Sequence, residues 1–287
     1  MSAIERIEEF QRELTGIRHD FHAHPEIAFE EQRTSDRVAE MLESFGVEVH
    51  RGMARTGVVG RLRAGSSDRA IGLRAGAMMA SSDTFELTVT GRGSHAALPH
   101  TGNDPVVAAS AMVQALQCVV SRNLDPIDSG VASVTQFHAG NSWNVIPGEA
   151  VLRGTARAFR PETRNLIERR LGEICAGIAG AHQVRAVLRY DRRYPPLVNA
   201  VRETAICARV LEKLVGKDNV DRDTPPVMGA EDFAFMLAAR PGCYVFIGNG
   251  SGEGACLLHN SRYDFNDAIL PLGASYWARL AEHVLAP

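Results

Sequence analysis

The chain has 287 residues, and 31 lysines and arginines against 34 aspartates and glutamates give a formal net charge of −3. Hydrophobic residues make up 45% and charged residues 23%, close to the globular average, which excludes an intrinsically disordered protein. The absence of a basic run excludes a nucleic-acid-binding surface. A membrane span is not predicted, because no apolar stretch approaches about 18 residues.

The cysteines and the amino terminus predict a cytoplasmic protein. The five cysteines are an odd number without paired spacing, which favours reduced thiols over a disulfide framework. Residues 1–6 lead directly into charged helical sequence, without the apolar core of a signal peptide.

The N-terminal segment predicts two helices followed by a pair of short strands. Apolar residues recur at helical spacing over 7–17 and again over 38–45. The polar stretch 18–26 contains Pro25, so we expect neither helix to continue into it. Two apolar runs within 57–73 predict strands joined by a hairpin loop.

The middle of the chain has the clearest pattern. Phe85, Leu87 and Val89 alternate with polar residues, which predicts a strand, and Asp104 with Pro105 predicts the start of a helix. The elements that follow are strands over 131–138 and 151–159, a helix from Pro161, and a strand over 184–190. This β-α-β-β-α-β order is typical of a ferredoxin-like α+β sandwich, which we place at residues 80–195.

The rest of the chain returns to an α/β pattern. We expect a helix over 205–214, a short buried strand over 243–247 and a final helix over 268–285. Residues 1–79 and 196–287 therefore predict one discontinuous α/β domain, interrupted by the α+β domain.

Three histidines lie close together near the N-terminus. His19, His22 and His24 are possible zinc or copper ligands, because imidazole binds both metals. The alternative is that they make surface or capping hydrogen bonds beside the break at Pro25.

The segment that leads to His95 contains two glycines. Gly91 and Gly93 resemble a phosphate-binding loop only in part, since a third glycine and an immediately following helix are missing. The glycines either relax the end of a strand or let the backbone bend so that His95 projects into a cleft.

Further polar residues have two interpretations each. Asn144 either forms a turn or aims its amide at a ligand carbonyl. Arg153 and Arg157 share one face of a strand, which is either solvated or suited to a substrate carboxylate. His259 is either an ordinary hydrogen-bonded histidine or a site residue, because it lies in a loop between a strand and a helix.

Taken in order, four segments resemble the di-zinc amidohydrolase and aminoacylase family, which includes hippurate hydrolase, N-acyl-amino-acid hydrolases and plant auxin-conjugate hydrolases. The segments are RHDFHAHPEIAFEE (18–31), GRGSHAA (91–97), NSWNVIPG (141–148) and LHNSRYDF (258–265), with GTAR (154–157) and MGAEDF (228–233) in support. The resemblance covers nearly the whole chain. It implies a metallopeptidase-type α/β domain interrupted by a ferredoxin-like lid and dimerisation domain.

The resemblance also implies roles for single residues. His95 is similar to the lid histidine that polarises the scissile carbonyl, Asn144 and Arg157 to lid residues that orient the substrate, and His259 to a metal ligand. The implied reaction is hydrolysis of an N-acyl amino acid by water bridged between two divalent ions, zinc or manganese, with a glutamate as general base. A homodimer is implied through the lid, and we expect strand 85–89, as an edge, or helix 106–120 to form the contact.

The chain departs from the family in the metal-binding region. Members follow the strand that matches residues 71–75 with a DMDALP run, a CGHD ligand motif, a Glu-Glu pair and a further histidine. Here residues 76–83 lead directly to the lid, and about one hundred residues, a domain's worth, have no counterpart. Of the family's metal ligands, His259 alone is matched. The sequence thus leaves two hypotheses: a metal-dependent amidohydrolase, or an inactive remnant that acts as a lid-mediated dimer or ligand-binding module.

Overall fold

The computed structural model describes residues 3–27, 30–44, 49, 71–250, 260 and 262–285. In these ranges the helices are α1 (Ala3–Glu8), α2 (Gln11–Ala23), α3 (Gln32–Ser44), α4 (Pro105–Asn123), α5 (Pro161–His182), α6 (Val201–Val215), α7 (Phe233–Ala239) and α8 (Leu270–Leu285). The strands are β1 (Ile71–Gly72), β2 (Gly76–Met79), β3 (Ser82–Thr90), β4 (Ser94–His95), β5 (Gly130–Ala139), β6 (Val145–Ile146), β7 (Glu149–Ala158), β8 (Arg185–Tyr194), β9 (Leu197–Asn199), β10 (Val220–Asp221) and β11 (Phe246–Ile247).

The chain divides into two compact units. The first comprises Met1–Leu73, Ala205–Arg222 and Val245–Pro287, and the second comprises Arg74–Thr204 and Asp223–Tyr244. The second unit is wider than residues 80–195, because β2 pairs with β9 and Val227 forms a bridge to Met79. Most of the strand pair predicted within 57–73 lies outside the described residues.

The first unit contains a small three-stranded sheet. Its order is β10-β1-β11, with β1 parallel to β10 and antiparallel to β11, and each strand has two residues. Helix α1 packs against α8. Helix α2 buries no residue and α3 buries only Ala39, so the apolar stripes of these two helices are covered only in part.

Helix α2 extends further than the sequence indicated. It continues to Ala23, so the prediction that residues 18–26 are not helical is wrong for the first six of them. Arg18 donates from Nε to Oδ1 of Asp267 at 2.8 Å, and His19 Nε2 lies 3.1 Å from Oδ2 of the same residue. Asp267 is therefore the hydrogen-bond partner of two polar side chains in the last turns of the helix. The helix ends two residues before Pro25, because proline disfavours helical backbone in the residue preceding it.

The second unit contains a four-stranded antiparallel sheet. Its order is β5-β7-β3-β8, and the elements run strand, helix, strand, strand, helix, strand, as the periodicity predicted. Strand β3 pairs with β7 over Asp83–Thr90 and with β8 over Ser82–Thr90. Helices α4 and α5 pack on one face, where Leu87, Leu152 and Met112 are fully buried.

Helix α4 begins as predicted. The Asp104 side chain accepts hydrogen bonds from the backbone N–H of Val106 at 2.8 Å and of Val107 at 3.2 Å. Helix α4, with 19 residues, is nevertheless long and apolar enough by length and composition to cross a membrane, although no span was predicted from the sequence. Its apolar side chains, including Met112 and Leu116, pack into the core of the second unit, which accounts for this composition.

The strand over 85–89 is not an edge. Because β3 lies between β7 and β8, the prediction that it forms a dimer contact as an edge strand is wrong. The edges of the sheet are β5 and β8. Strand β5 has a bulge between Val134 and Gln136, beyond which its residues are exposed.

A buried ionic cluster lies at one end of β3. Asp83 is 0% exposed, and Arg164 donates to both of its carboxylate oxygens, at 2.8 Å and 3.1 Å from Nε. Tyr190 donates from its hydroxyl to Oδ2 of Asp83 at 2.8 Å. Burial, reinforced by this hydrogen bond, raises the pKa of Tyr190 well above its ordinary value. Removing the partner of a buried carboxylate lowers the free energy of unfolding by several kcal/mol, because the charge is left uncompensated.

We expect Gly154→Ala to destabilise the second unit. A Cβ at Gly154 would lie 2.3 Å from Cζ of Phe85 and 2.3 Å from the Ser133 carbonyl oxygen, so the strand or the ring must shift. The expected loss in the free energy of unfolding is about 1–3 kcal/mol, measured by denaturant titration.

The matched control is Gly177→Ala in α5. A Cβ there meets nothing within 4 Å, so the substitution should stabilise the helix by about 0.5–1 kcal/mol. A Gly154→Ala variant as stable as the unmodified chain would contradict the packing described for β7.

Candidate functional site

His95 and Asn144 lie on the two paired segments of a two-stranded ribbon. Strand β4 pairs antiparallel with β6, with His95 opposite Val145. The backbone N–H of Ala96 donates to the Asn144 carbonyl oxygen at 2.9 Å. We call residues 94–98 and 142–146 the His95 ribbon. Both His95 and Asn144 are exposed, so their side chains are accessible to a ligand.

The glycines before His95 allow the backbone to approach its neighbours closely. A Cβ on Gly91 would lie 2.1 Å from the Asn103 carbonyl oxygen, and a Cβ on Gly93 would lie 2.7 Å from that of Ile146. Neither glycine has a positive φ. The sequence predicted that these glycines provide backbone freedom. In the structure they are required because a Cβ at either position would collide with a neighbouring carbonyl oxygen.

Each of the two side chains has one polar atom engaged locally. The backbone N–H of Ala97 donates to Nδ1 of His95 at 3.1 Å. The Ser142 hydroxyl donates to Oδ1 of Asn144 at 2.9 Å. Within the part of the chain that the structure describes, Nε2 of His95 and Nδ2 of Asn144 make no hydrogen bond, so both remain open to a ligand.

Apolar side chains are exposed on the same ribbon. Trp143 is fully exposed, and Leu98 and Val145 are each 50% exposed. Large apolar side chains clustered in solvent beside polar groups are typical of a ligand-contacting surface. The tryptophan is next in sequence to Asn144, so the exposed indole and the candidate amide belong to the same short loop.

Arg157 lies far from the His95 ribbon. It is opposite Val131 near the last residue of β7, whereas the ribbon precedes the first, Glu149. At roughly 3.3 Å per residue, the eight steps from Glu149 to Arg157 span about 26 Å. The structure therefore does not bring Arg157 together with His95 and Asn144.

The surroundings of Arg157 and Arg153 differ, although both lie on one strand. Arg157 is half-buried, and this burial lowers the pKa of its guanidinium while the charge of Asp83 raises it. Arg153 is exposed and donates from Nε to Glu86 Oε2 at 2.7 Å. Arg153 thus fits the solvated alternative, and Arg157 is the arginine that lies close to the buried cluster.

The N-terminal histidines make hydrogen bonds. His19 contacts Asp267, and His24 Nδ1 lies 2.9 Å from the Asp20 carbonyl oxygen. Across the described ranges, no group of three or more histidines, cysteines, aspartates or glutamates is placed to hold a metal ion. The predicted metal ligand His259 lies outside the described residues.

The first unit has an open cavity beside α2. Its volume is about 380 Å³, and its lining includes Arg18, His19, His22 and Arg262. Arg18 is turned toward Asp267 and Asp264, with which it forms ion pairs. The RHDFHAH motif therefore lines this cavity, and Arg18 of the motif is held in ion pairs within the chain.

Sequence reasoning missed Ser142. Its hydroxyl donates to Asn144, and its position two residues earlier is the spacing at which serine commonly makes local hydrogen bonds. Glu231, which the sequence analysis named within the MGAEDF segment, is 2% exposed and lies 3.3 Å from the Tyr244 hydroxyl.

Comparisons with known proteins place these features in a family. The model of peptidase family M20/M25/M40 matches residues 30–283. The hippurate hydrolase of Campylobacter jejuni is 31% identical over 381 residues, which cover 98% of this chain and 99% of the relative. Since the chain has only 287 residues, part of that relative has no counterpart.

Two further proteins are similar. The N-acetyl-L-cysteine deacetylase of Bacillus subtilis is 38% identical over 207 residues, covering 72% of this chain. The chain spans 48% of that relative. The crystal structure of the Bacillus subtilis YXEP protein, described as a dinuclear metal binding peptidase, has a TM-score of 0.73 at 20% identity and covers 97% of this chain and 99% of its own. By the extent of these matches, the chain belongs to the M20/M25/M40 peptidase family.

Proposed function

We propose that this chain recognises N-acyl amino acids of the hippurate type through the His95 ribbon. The observation that carries the proposal is the adjacency of His95 and Asn144, each with a nitrogen open to a ligand, beside the exposed Trp143. Two N–H donors suit the carbonyl oxygen of an amide, and an exposed indole suits an aromatic acyl group. The hippurate hydrolase relative supports this substrate class.

The two-domain organisation belongs to the proposal. Residues 80–195 act as a ferredoxin-like lid, supported by the observed sheet order β5-β7-β3-β8 with two helices on one face. Residues 1–79 and 196–287 form the shortened α/β domain. Cys118, Cys175, Cys207 and Cys243 form no disulfide among the described residues, which supports a place in the cytoplasm.

The residues that the structure describes do not fit the family's pair of metal ions. A catalytic zinc takes about three protein ligands, and among the residues described here none form such a group. His259 would be one ligand of zinc or manganese, and one ligand does not hold a pair of ions. We therefore derive no catalytic step through a metal, and propose that the chain binds its ligand without hydrolysing it. The alternative, an active hydrolase, requires a site that these residues do not form.

We propose a homodimer, which the distance between Arg157 and the His95 ribbon supports. An N-acyl amino acid is far shorter than the roughly 26 Å between them. The amide and the carboxylate of one ligand can engage the ribbon and Arg157 only if these come from two copies of the chain. We propose that the copies pair through β5, whose sequence GVASVTQFHA has no Asp, Glu, Lys or Arg, whereas β8 carries four arginines between 185 and 193.

We expect hippurate to quench the fluorescence of Trp143. The chain has two tryptophans, so Trp277→Phe leaves Trp143 as the single reporter on the ribbon. Titration with hippurate should give saturable quenching, and Asn144→Ala in the same background should weaken it about tenfold through loss of one hydrogen bond. Unsaturable quenching, or equal affinity in both proteins, would contradict the proposed binding site.

We expect no metal-dependent hydrolysis by this chain. Hippurate and a panel of N-acyl amino acids are assayed with added zinc, manganese or cobalt, and elemental analysis of the purified protein should find no stoichiometric metal. The control variant is His259→Ala. Turnover that requires metal and disappears in this variant would show that the chain is an active hydrolase.

We expect the protein to sediment as a dimer at micromolar concentration. Phe137 is 41% exposed on β5, so Phe137→Asp should shift the protein toward monomer by placing a charge in the paired edge. Val187, 47% exposed on β8, gives the matched control Val187→Asp, which should leave the dimer intact. Dissociation by the control alone would assign the interface to the opposite edge.

A further inference from the structure

We propose that β8 is the docking edge for an extended acidic peptide, which adds to the sheet of the second unit as a further strand. The peptide pairs with the outer edge of β8 and carries two acidic side chains four residues apart. The proposal does not depend on a ligand at the His95 ribbon. It rests on the open edge of β8, the spacing of its arginines and the charge around them.

Strand β8 is a long edge strand with a regular register. It has ten residues, and among the described residues it pairs with β3 alone. Its register against β3 is continuous over Arg185–Arg192. The side of an edge strand that faces away from its partner presents backbone N–H and C=O groups, with which another extended chain can pair.

The residues of β8 alternate between two faces of the sheet. Ala186, Leu188 and Tyr190 pack against the core on the helix side. The alternate residues are exposed on the opposite face, and they are Arg185, Val187, Arg189 and Asp191. Since side chains stand above and below a sheet rather than in its plane, these arginines leave the backbone edge accessible.

The arginines of β8 differ in their partners. Arg192 donates from Nε to Oε2 of Glu168 at 2.7 Å. Arg185 and Arg189 form no ion pair with any residue that the structure describes. Because they are four residues apart on one face, they place two positive charges roughly 13 Å apart along the open edge.

The carboxylates near this stretch do not balance it. Glu86 on β3 lies opposite Arg189, but its Oε2 accepts from Nε of Arg153 at 2.7 Å, so one carboxylate lies between two arginines. Asp191 lies 3.6 Å from Arg193 and balances that arginine. The edge therefore keeps an excess of positive charge, in a chain whose formal net charge is −3.

Charge and spacing together define the partner. A peptide paired with β8 places every second side chain on the exposed face. Carboxylates four residues apart then face Arg185 and Arg189, and the residue midway between them faces Val187, which is 47% exposed. Carboxylates suit arginine, whose guanidinium can donate two parallel hydrogen bonds. The assigned pattern is acidic-x-apolar-x-acidic, and it is the same whichever way the peptide runs.

A phosphate chain is the other source of negative charge. Over the described residues 185–191, the exposed face of β8 has two arginines, a valine and an aspartate, and no aromatic ring on which a base could stack. A sheet edge offers backbone groups that a peptide matches and a sugar-phosphate chain does not. Both observations favour a peptide.

The spacing is tested by fluorescence anisotropy with two fluorescein-labelled peptides. The probe TVETVTEVT has glutamates four residues apart. The control TVETVETVT has the same composition, but its glutamates are three residues apart and therefore on opposite faces of a strand. The probe should bind about threefold more tightly, because only one glutamate of the control can face an arginine. Equal affinity of the two peptides would overturn the proposal.

The edge is tested by Arg189→Glu, with Arg122→Glu on α4 as the control for net charge. Arg122 is exposed, and α4 packs mainly on α5, β5 and β7. Arg189→Glu should weaken binding of the probe about tenfold, since an attraction becomes a repulsion, and Arg122→Glu should leave it unchanged. Circular dichroism shows whether each variant is folded. If Arg189→Glu is not, Arg189→Gln removes the charge alone and should weaken binding about threefold.

Hydrogen exchange of the unmodified chain locates the bound peptide. Saturating probe should slow amide exchange several-fold in residues 185–193 and leave residues 130–139 unchanged. Protection of β5 in place of β8 would overturn the proposal. An oligothymidylate that binds more tightly than the probe and is lost in Arg189→Glu would assign the edge to nucleic acid instead. If neither peptide binds, the proposal is wrong, and the arginines serve only to keep the open edge from pairing with other chains.

Discussion

The pairing of β3 on both of its sides determines where every candidate residue of the second unit lies. One face of this strand is buried against α4 and α5, so a slip of one residue would turn Leu87 and Val89 from the core into solvent. The register is therefore fixed along its length. Asp83 is held at one end of the strand, and at the other the N–H of Gly91 donates to the Gly148 carbonyl oxygen, where the His95 ribbon begins.

The two ends of β3 differ in their chemistry. At the Asp83 end, one buried carboxylate faces the guanidinium of Arg164, and Arg157 adds a second positive charge nearby. At the ribbon end, the candidate residues are uncharged and an indole is exposed. The proposed ligand has a carboxylate, which suits the arginine at the first end, and an acyl group, which suits the ribbon.

The sequence predicted the sheet of the second unit because its signals are local. The alternation at Phe85, Leu87 and Val89 and the cap at Asp104 each depend on residues close in the chain. Interior and edge strands share this alternation when one face is buried, so the pattern did not reveal that β3 is interior. Likewise, periodicity cannot detect β4 and β6, since two residues are too few to show a period.

The contacts of the N-terminal motif and the separation of the candidate residues also depend on parts of the chain that are distant in sequence. Helix α2 extends to Ala23 with Arg18 and His19 bound to Asp267, a residue about 250 positions away that no local pattern connects to them. The resemblance gave Arg157 and Asn144 one role, orienting the substrate, and in the structure the ten-residue strand β7 lies between them.

The bulge in β5 limits how far an assembly through this edge can grow. The bulge interrupts the register between Val134 and Gln136, where the edge bends and its twist increases, and pairing with β7 resumes over Gln136–Ala139. In the proposed dimer a second copy aligns with this edge through a two-fold axis, and each copy then has its pairing edge occupied. A dimer of this kind closes at two chains, because neither copy keeps a free β5 edge.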